Sequence, residues 1–343
     1  MVMASFRLIA IAKNEGANLP FWIFHHLLIG FDSIDLYINN TTDNSIDILE
    51  AMVDGGLPIN INDGDAAYRE ARDVGEDFQF HVYRSSLLKY PPGDYICFLD
   101  LDEFLVGPSL FSNVRDISCL CLDDFASVSF RWMIDLPPVD VVPFSPIFSG
   151  NMPLKRCHQF KSIGLIGRVC FSNSHMFSVS VDSFGENMYR RYYSSGQPLS
   201  PAIERGFEGL HRDLARSPLV DQWFVLHRIN GSECEYLASL LRGRGHKGAD
   251  VSGNDEILKN NRKGYQDVSS CPSHLSRTFF DAELSIYYEG YYKFLHSFSL
   301  GQSLNEAREL VEERVSELHN LLTSSPSLLD RYQQQLSGTR FSG

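Results

Sequence analysis

The sequence predicts an α/β protein: a mostly parallel central sheet flanked by helices, followed by a C-terminal helical extension. Three observations carry that expectation. The first ~105 residues alternate short β-prone apolar runs with helical stretches. The run 95–106 (YICFLDLDEFLV) drives an apolar strand into a cluster of acids. Residues 303–322 repeat apolar positions at helical spacing.

Residues 6–12 are β-rich and form the first expected strand, followed by the polar turn Lys13, Asn14, Glu15 and Gly16. Asn18, Leu19 and Pro20 mark a helix start, with proline in the first turn. The helix continues through Phe21–Ile29 and stops at Gly30. Residues 33–38 make a second strand, 39–45 a turn dense in Asn, Thr, Asp and Ser, and 46–53 a short helix. Residues 57–61 make a third strand, and 66–89 are read as helical. Farther on, 125–132 reads as a strand, 137–153 as an extended loop, 161–177 as one or two strands, and 223–227 as a short strand ending in His227. In 303–322, Ser303 and Glu306 suggest a capping box. Leu304, Ala307, Val311, Val315, Leu318 and Leu322 share one face, and the charged side reads as solvated. The tail after Pro326 is rich in Ser, Gln and Gly and is expected to fray. The division expected is a catalytic domain over 1–245 and a mainly helical region over 246–343.

Composition narrows the function. A chain of 343 residues with net charge −13 does not suit partners bound by phosphate neutralisation, so no nucleic-acid partner is expected. Seven scattered cysteines without a CxxC pair fit reduced thiols and a cytoplasmic setting. No stretch approaches the ~18 apolar residues of a membrane span, so any membrane contact would be peripheral.

The acids at 100–103 carry the chemistry. On a continuous strand Asp100 and Asp102 would share a face about 7 Å apart, and two carboxylates that close repel unless a cation or proton lies between them. The end of a central strand is also where open α/β sheets bind ligands. Three readings follow: a Mg²⁺ or Mn²⁺ site bridging the diphosphate of a nucleotide-activated donor, a phosphatase nucleophile at Asp100 with Asp102 as acid, or a solvated strand end. A Ca²⁺ loop fails, because Leu105 stands at its glycine position and Phe111 at its glutamate position.

Other residues join this group. Lys13 could meet phosphate while Asn14 and Glu15 hydrogen-bond a base or ribose; the alternative is a plain helix-start turn. Asn40 and Asp43 could read a pyrimidine edge, or simply form an Asx turn. His227 is either structural or a further metal ligand beside two carboxylates. Lys161 is a candidate phosphate partner, or an ordinary surface lysine. The basic run 242–247 (RGRGHK) could close over a diphosphate, or be a solvated linker.

Together these segments resemble the GT-A glycosyltransferases, in particular the family 2-like and family 92-like (DUF23-type) groups. Residues 11–15 with 21–27 and 30–32 resemble an N-terminal "KNE…EWI.HH…GFD" block, 37–45 an "NDSTDGT" turn, and 98–105 an "FLDxDEF" motif. Residues 130–132 resemble a "WxxF"-like strand, and 160–162 a block around a lysine. Residues 227–243 resemble a closing "HY…S.EEF..K..RG" segment through His227, Ser232, Glu233, Glu235, Tyr236, Arg242 and Gly243. Arg228 replaces an aromatic there, and Ser239 stands where lysine is expected. The resemblance covers residues 6–245.

The resemblance implies a Rossmann-like GT-A fold and a glycosyltransferase using a nucleotide-sugar donor, UDP-linked, with a glycan or glycolipid acceptor. It implies donor contacts at Lys13, Asn14, Glu15, Asn40, Asp43, Asp100 and Lys161, and Mn²⁺ or Mg²⁺ held by Asp100, Asp102 and His227. An inverting hexosyltransferase also needs a carboxylate base; Asp135 and Glu103 are the candidates. The alternatives are an inactive GT-A-fold domain that binds glycan or nucleotide, and a dehalogenase-type phosphatase using Asp100.

Overall fold

The computed structural model describes residues 4–171, 175, 177–179, 189–199, 222–242, 257–272 and 274–342. Its first third alternates as expected: β1 (Phe6–Ala12), α1 (Leu19–Leu28), β2 (Ser33–Ile38), α2 (Ser45–Asp54), β3 (Ile59–Asp63), α3 (Gly64–Asp73), α4 (Phe78–Lys89) and β4 (Tyr95–Phe98). These four strands are parallel, in the order β3-β2-β1-β4. The chain therefore winds outward from β1 and returns to β1's other side. That reversal opens a crevice at the carboxyl ends of β1 and β4, where doubly wound sheets take ligands.

Strand alternation explains why helices cover both faces. Leu8, Ala10 and Ala12 enter one apolar cluster with Trp22, Ile23, Ile48 and Met52 of α1 and α2. Ile9 turns to the other face, with Ala67, Ala71, Phe78 and Val82 of α3 and α4. The helix after β1 begins and stops where the sequence says: Pro20 lies in its first turn, and Gly30 takes φ +99° just past its end. The expected helical stretch 66–89 is two helices, broken at Gly75 with φ +68°.

The remaining strands make the sheet mixed. After β5 (Glu103–Val106) come β6 (Phe125–Asp135), β7 (Asn151–Leu165), β8 (Val169–Phe171), β9 (Phe177–Val179), β10 (Arg190–Tyr193), β11 (Phe224–His227) and β12 (Leu275–Thr278). From β4 the sheet continues β7-β6-β11-β5, with β10 added to β6 and β12 to β7, while β8 and β9 form a separate ribbon. Strand β7 is antiparallel to β4 and to β6; β11 is parallel to β6, and β5 is antiparallel to β11. Consequently β6 and β11 run in the direction of β1. Asp135 and His227 thus end at the same edge of the sheet as Lys13 and Phe98.

Strand β11 is followed by α5 (Glu233–Leu241), and the C-terminal part is mainly helical, with α6 (Asp281–Ser297), α7 (Gly301–Ser324), α8 (Ser327–Arg331) and α9 (Gln333–Leu336). It does not stand apart from residues 1–245. Strand β12 pairs with β7, and Tyr287 and Tyr291 of α6 pack on Phe21 and Phe24 of α1.

Three expectations need correcting here. The capping box at Ser303 does not form: α7 starts at Gly301, with Ser303 inside it, and Glu306 accepts instead from Gln302. The tail after Pro326 is folded, because Leu328, Tyr332 and Leu336 are buried against Tyr236, Leu237, Leu240 and Leu258. The charged residues of α7 are not all solvated, since Arg314, flanked along the apolar stripe by Val311 and Leu318, turns inward toward Asp43. Among the described residues, no helix is long and apolar enough to cross a membrane.

Candidate active site

The acidic motif is a turn, not a strand. Strand β4 stops at Phe98 and β5 starts at Glu103, so Asp100 and Asp102 do not share a strand face. The reason is local. The Glu103 carboxylate accepts from the Asp100 amide at 2.9 Å, and the Glu103 amide donates to the Asp100 carbonyl at 3.0 Å. A side chain that satisfies the backbone in this way competes with a sheet ladder. Trp22, fully buried in α1, fixes the turn from below by donating its indole N–H to the carbonyls of Glu103 (2.8 Å) and Asp100 (3.1 Å).

The two aspartates separate. Asp100 Oδ2 lies 3.6 Å from the Lys161 ammonium, which also sits 3.1 Å from Glu103. Lys161 is 1% exposed, so it is not a surface lysine; the two carboxylates keep it protonated against the cost of burial. Burial pushes Glu103 up to about 7, with Lys161 opposing. Glu103 is fully buried and serves the turn.

Asp102 faces the other way. Strand β11 pairs antiparallel to β5, placing His227 opposite Glu103, and the Arg228 amide donates to the Asp102 carbonyl at 2.7 Å. That pairing brings His227 Nε2 to 3.5 Å from Asp102 Oδ2, with Arg262 at 3.2 Å from the same oxygen. Burial disfavours the Asp102 charge, yet His227, Arg262 and Arg242 outweigh it and hold the carboxyl well below its usual range. Burial likewise works against His227 protonation, and Asp102 overcomes it. His227 packs against Trp132 of β6 with the rings tilted by 48° and their centres 4.2 Å apart.

The turns after β1 and β2 interlock. Asn14 and Asn40 both adopt the left-handed conformation, φ +54° and +48°, which asparagine tolerates better than branched residues. Asn14 Oδ1 accepts from the amides of Thr42 (2.7 Å) and Asp43 (3.2 Å), while the Asn40 amide donates to Asp65. Asp43 accepts from Ser45 and from the Gly16 amide at 3.0 Å, and faces Arg314 at 3.8 Å. Glu15 is buried, bonded to Asn18 and paired with Arg242; burial raises its carboxyl and Arg242 opposes. Lys13 lies nearby, its pKa lowered by burial and by the Arg242 charge.

The expected residues therefore divide. Lys13, Asn14, Glu15, Asn40, Asp43, Asp102 and His227 gather at the β1/β4 edge, with Asp100 and Lys161 just behind the turn. Asp135 is 8% exposed and closes the turn after β11, accepting from the amides of Asn230 (3.2 Å) and Gly231 (3.0 Å). Burial raises its pKa against these partners and Arg228. Neither Asp135 nor Glu103 turns a free carboxylate into the crevice. Ser232 and Glu235 cap α5, and Glu235 also binds Arg228 at 2.6 Å. Of the basic run, Arg242 is described and 243–247 lie outside the described residues. The crevice is narrow, about 60 Å³, and is lined by Asn14, Asn18, Asp102, Arg242, Arg262 and Arg314 among others.

Among the described residues, no three His, Cys, Asp or Glu side chains converge as a ready-made metal cage. The Asp102 carboxylate nevertheless suits an ion completed by phosphate oxygens and water, the usual habit of Mg²⁺ in nucleotide sites, and His227 would join it only as the neutral imidazole, once the ion displaces its proton. Asp100, turned to Lys161, is not placed as a third ligand.

Sequence reasoning missed Arg262, Lys259 and Arg314. Only Arg314 had left a signal: it lies three residues after Val311 and four before Leu318, on the buried stripe of α7. No family model matches the chain, and no curated protein matches its sequence.

Proposed function

We propose that this chain is a GT-A-type glycosyltransferase that moves a sugar from a nucleotide-sugar donor, UDP-linked, to a glycan or glycolipid acceptor. The observation that carries this reading is the meeting of Asp102 and His227 at the switch-point edge, beside the interlocked turns at Asn14 and Asp43. A nucleotide lying along this edge meets the Asn14 and Asn40 turns at its base and ribose, and the Asp102 region at its diphosphate.

The difficult event is departure of the nucleoside diphosphate, which takes on negative charge as the sugar bond breaks. Mn²⁺ or Mg²⁺, when bound by Asp102 and His227, supplies Lewis-acid stabilisation of that charge. The chain's own groups do the rest. Arg242 and Arg262 add positive charge to a narrow crevice, aimed where the diphosphate charge develops. Trp22 and Glu103 hold the Asp100–Asp102 turn rigid. Lys161 pairs with Asp100 and offsets its charge.

A second reading has its own support: Glu15, Asp43 and Asp102 each already carry an arginine. An inactive nucleotide-binding domain would keep this arrangement. Release of UDP from UDP-sugars, followed with and without Mn²⁺, separates the two. Metal-dependent release supports the transferase. Nucleotide binding in a thermal-shift screen of UDP, GDP, TDP and CMP without any turnover leaves the binding domain. Turnover of a simple phosphate ester instead would move the assignment to a phosphatase at Asp100.

A further inference from the structure

Arg242, Arg262 and Arg314 each face one carboxylate: Arg242 pairs with Glu15, Arg262 with Asp102 at 3.2 Å, and Arg314 with Asp43 at 3.8 Å. The buried amine of Lys259 lies in the same segment as Arg262. Among the described residues, Lys259 has no carboxylate of its own. It is 9% exposed, and its pKa lies well below the ordinary range through burial, then through the charges of Arg242 and Arg262. Arg262 is 7% exposed, and its Nε is buried without a hydrogen-bond partner. Buried cations with unmet donors are costly unless an anion completes them.

Three of these four groups come from the part of the chain beyond the segment that resembles a known family. Lys259 and Arg262 lie in the stretch that follows α5, where the Lys259 amide donates to the Leu240 carbonyl at 2.9 Å. Arg314 comes from the middle of α7. The α5–α7 apolar contact through Leu237, Leu240, Leu318 and Leu322 sets their positions.

We propose that Lys259, Arg262 and Arg314, with Arg242, form an anion-binding site for the diphosphate arm of the donor, built by the C-terminal region. The inference rests on the nucleotide-sugar reading and names which groups receive the two phosphates. An incoming diphosphate competes with Glu15, Asp43 and Asp102 for the guanidinium groups. It supplies the paired oxygens that arginine forks match best. The site needs no metal to hold the anion, although a metal at Asp102 and His227 adds to it. The C-terminal helices are then part of the donor site, not an appendage.

The experiment is isothermal titration calorimetry on the full chain in EDTA, with inorganic pyrophosphate, UDP and UMP as probes. Pyrophosphate and UDP are expected to bind without metal, and UMP at least tenfold more weakly than UDP. Arg314→Gln and Arg262→Gln should each weaken pyrophosphate and UDP about tenfold or more. Arg314→Lys, which keeps the charge and loses the fork, should fall between. Thermal melts identify any variant that has unfolded; because Arg314 lies in a long helix, its two variants keep the test available if Arg262→Gln does not fold. Pyrophosphate and UDP failing to bind in EDTA, or binding folded variants as tightly as the native chain, overturns the proposal. If metal-dependent UDP release persists alongside such unchanged binding, the transferase reading stands and this site falls. If pyrophosphate binding behaves as expected but no UDP-sugar is ever turned over, the anion site stands and the transferase reading falls.

Discussion

Arg262 reaches across 160 positions of sequence to hold the Asp102 carboxylate at 3.2 Å, on the same oxygen that faces His227 at 3.5 Å. Against burial, the Asp102 carboxyl is thus held well below its usual range first by His227 and then by Arg262, a side chain from beyond α5. The contact places the C-terminal region at the candidate site and sets up the first prediction.

Replacing Asp102 with Asn keeps the volume and removes the charge that His227 and Arg262 share. Metal-dependent release of UDP is expected to fall by about 100-fold or more, the size typical for losing one preorganised electrostatic group. The melt should stay cooperative. Undiminished release from a folded Asp102→Asn protein removes this carboxylate from the chemistry.

The neighbouring histidines of α1 predict an acid-sensitive fold. His25 Nε2 donates to the Leu105 carbonyl at 2.8 Å, and its Nδ1 accepts from the Tyr287 hydroxyl at 2.9 Å. His26 has the opposite tautomer: Nδ1 donates to the Trp22 carbonyl at 2.8 Å, while Nε2 accepts from the Leu105 amide at 3.3 Å. His26 must be neutral to accept from the Leu105 amide, whereas a charged His25 would have to turn its Nδ1–H onto the Tyr287 hydroxyl oxygen. Burial lowers His25 to about 4 and His26 well below the ordinary value. The unfolded chain therefore binds more protons between about pH 6.5 and 4, and stability contributed above pH 6.5 is lost as pH falls through that window. For His25 alone the loss amounts to about 3 kcal/mol. Urea unfolding at pH 7.5, 6 and 4.5 should show this slope, and His25→Gln should flatten it. An equal slope in the variant rules this histidine out as its source.

The left-handed turn at Asn14 makes a graded test of the two interlocked loops. Asn14→Ala loses the bonds to the Thr42 and Asp43 amides and strains the backbone at φ +54°. A cost of about 2–3 kcal/mol is expected. Asn14→Gly loses the bonds alone and should cost about 1 kcal/mol less. Denaturation midpoints rank the three proteins; alanine tolerated better than glycine contradicts the turn's role.

The folded tail yields a stability prediction. Leu336 is 1% exposed among Tyr236, Leu240 and Tyr332. Leu336→Ala should cost about 2–4 kcal/mol, the range for a buried leucine cavity. Ending the chain at Pro326 uncovers the same cluster on α5, which carries Arg242 at its end. Pyrophosphate binding should weaken in step with stability. A truncated chain as stable as the native one would mean that the tail only decorates this surface.

Much of the architecture was legible because its signals are local. The β1–β4 alternation follows from short apolar runs punctuated by Asn, Gly and Pro. The apolar stripe of α7 follows from spacing: Leu304, Ala307, Leu318 and Leu322 are all buried. The 223–227 run ends at His227, as expected from its apolar residues. What escaped depended on partners distant in sequence. Asp100 and Asp102 were expected on one strand face. A carboxylate three residues along bonds back to the Asp100 amide, and a buried tryptophan takes the turn's carbonyls, so the strand breaks there. Lys161 looks in sequence like any lysine, and only the β4-β7 pairing puts it between two acids.

The sequence by itself determined the parallel winding of β1 to β4, the helices that flank it, and the placing of Lys13 and Asn40 in the turns that follow β1 and β2. Those features follow from residue periodicity and turn chemistry within about twenty positions. The tertiary structure alone decided which charges meet. Antiparallel pairing of β11 with β5 carries His227 to Asp102, and the packing of α7 on α5 carries Arg314 toward Asp43. Charge partnership inside a fold is set by burial and long-range pairing, and neither has a period that a linear chain displays.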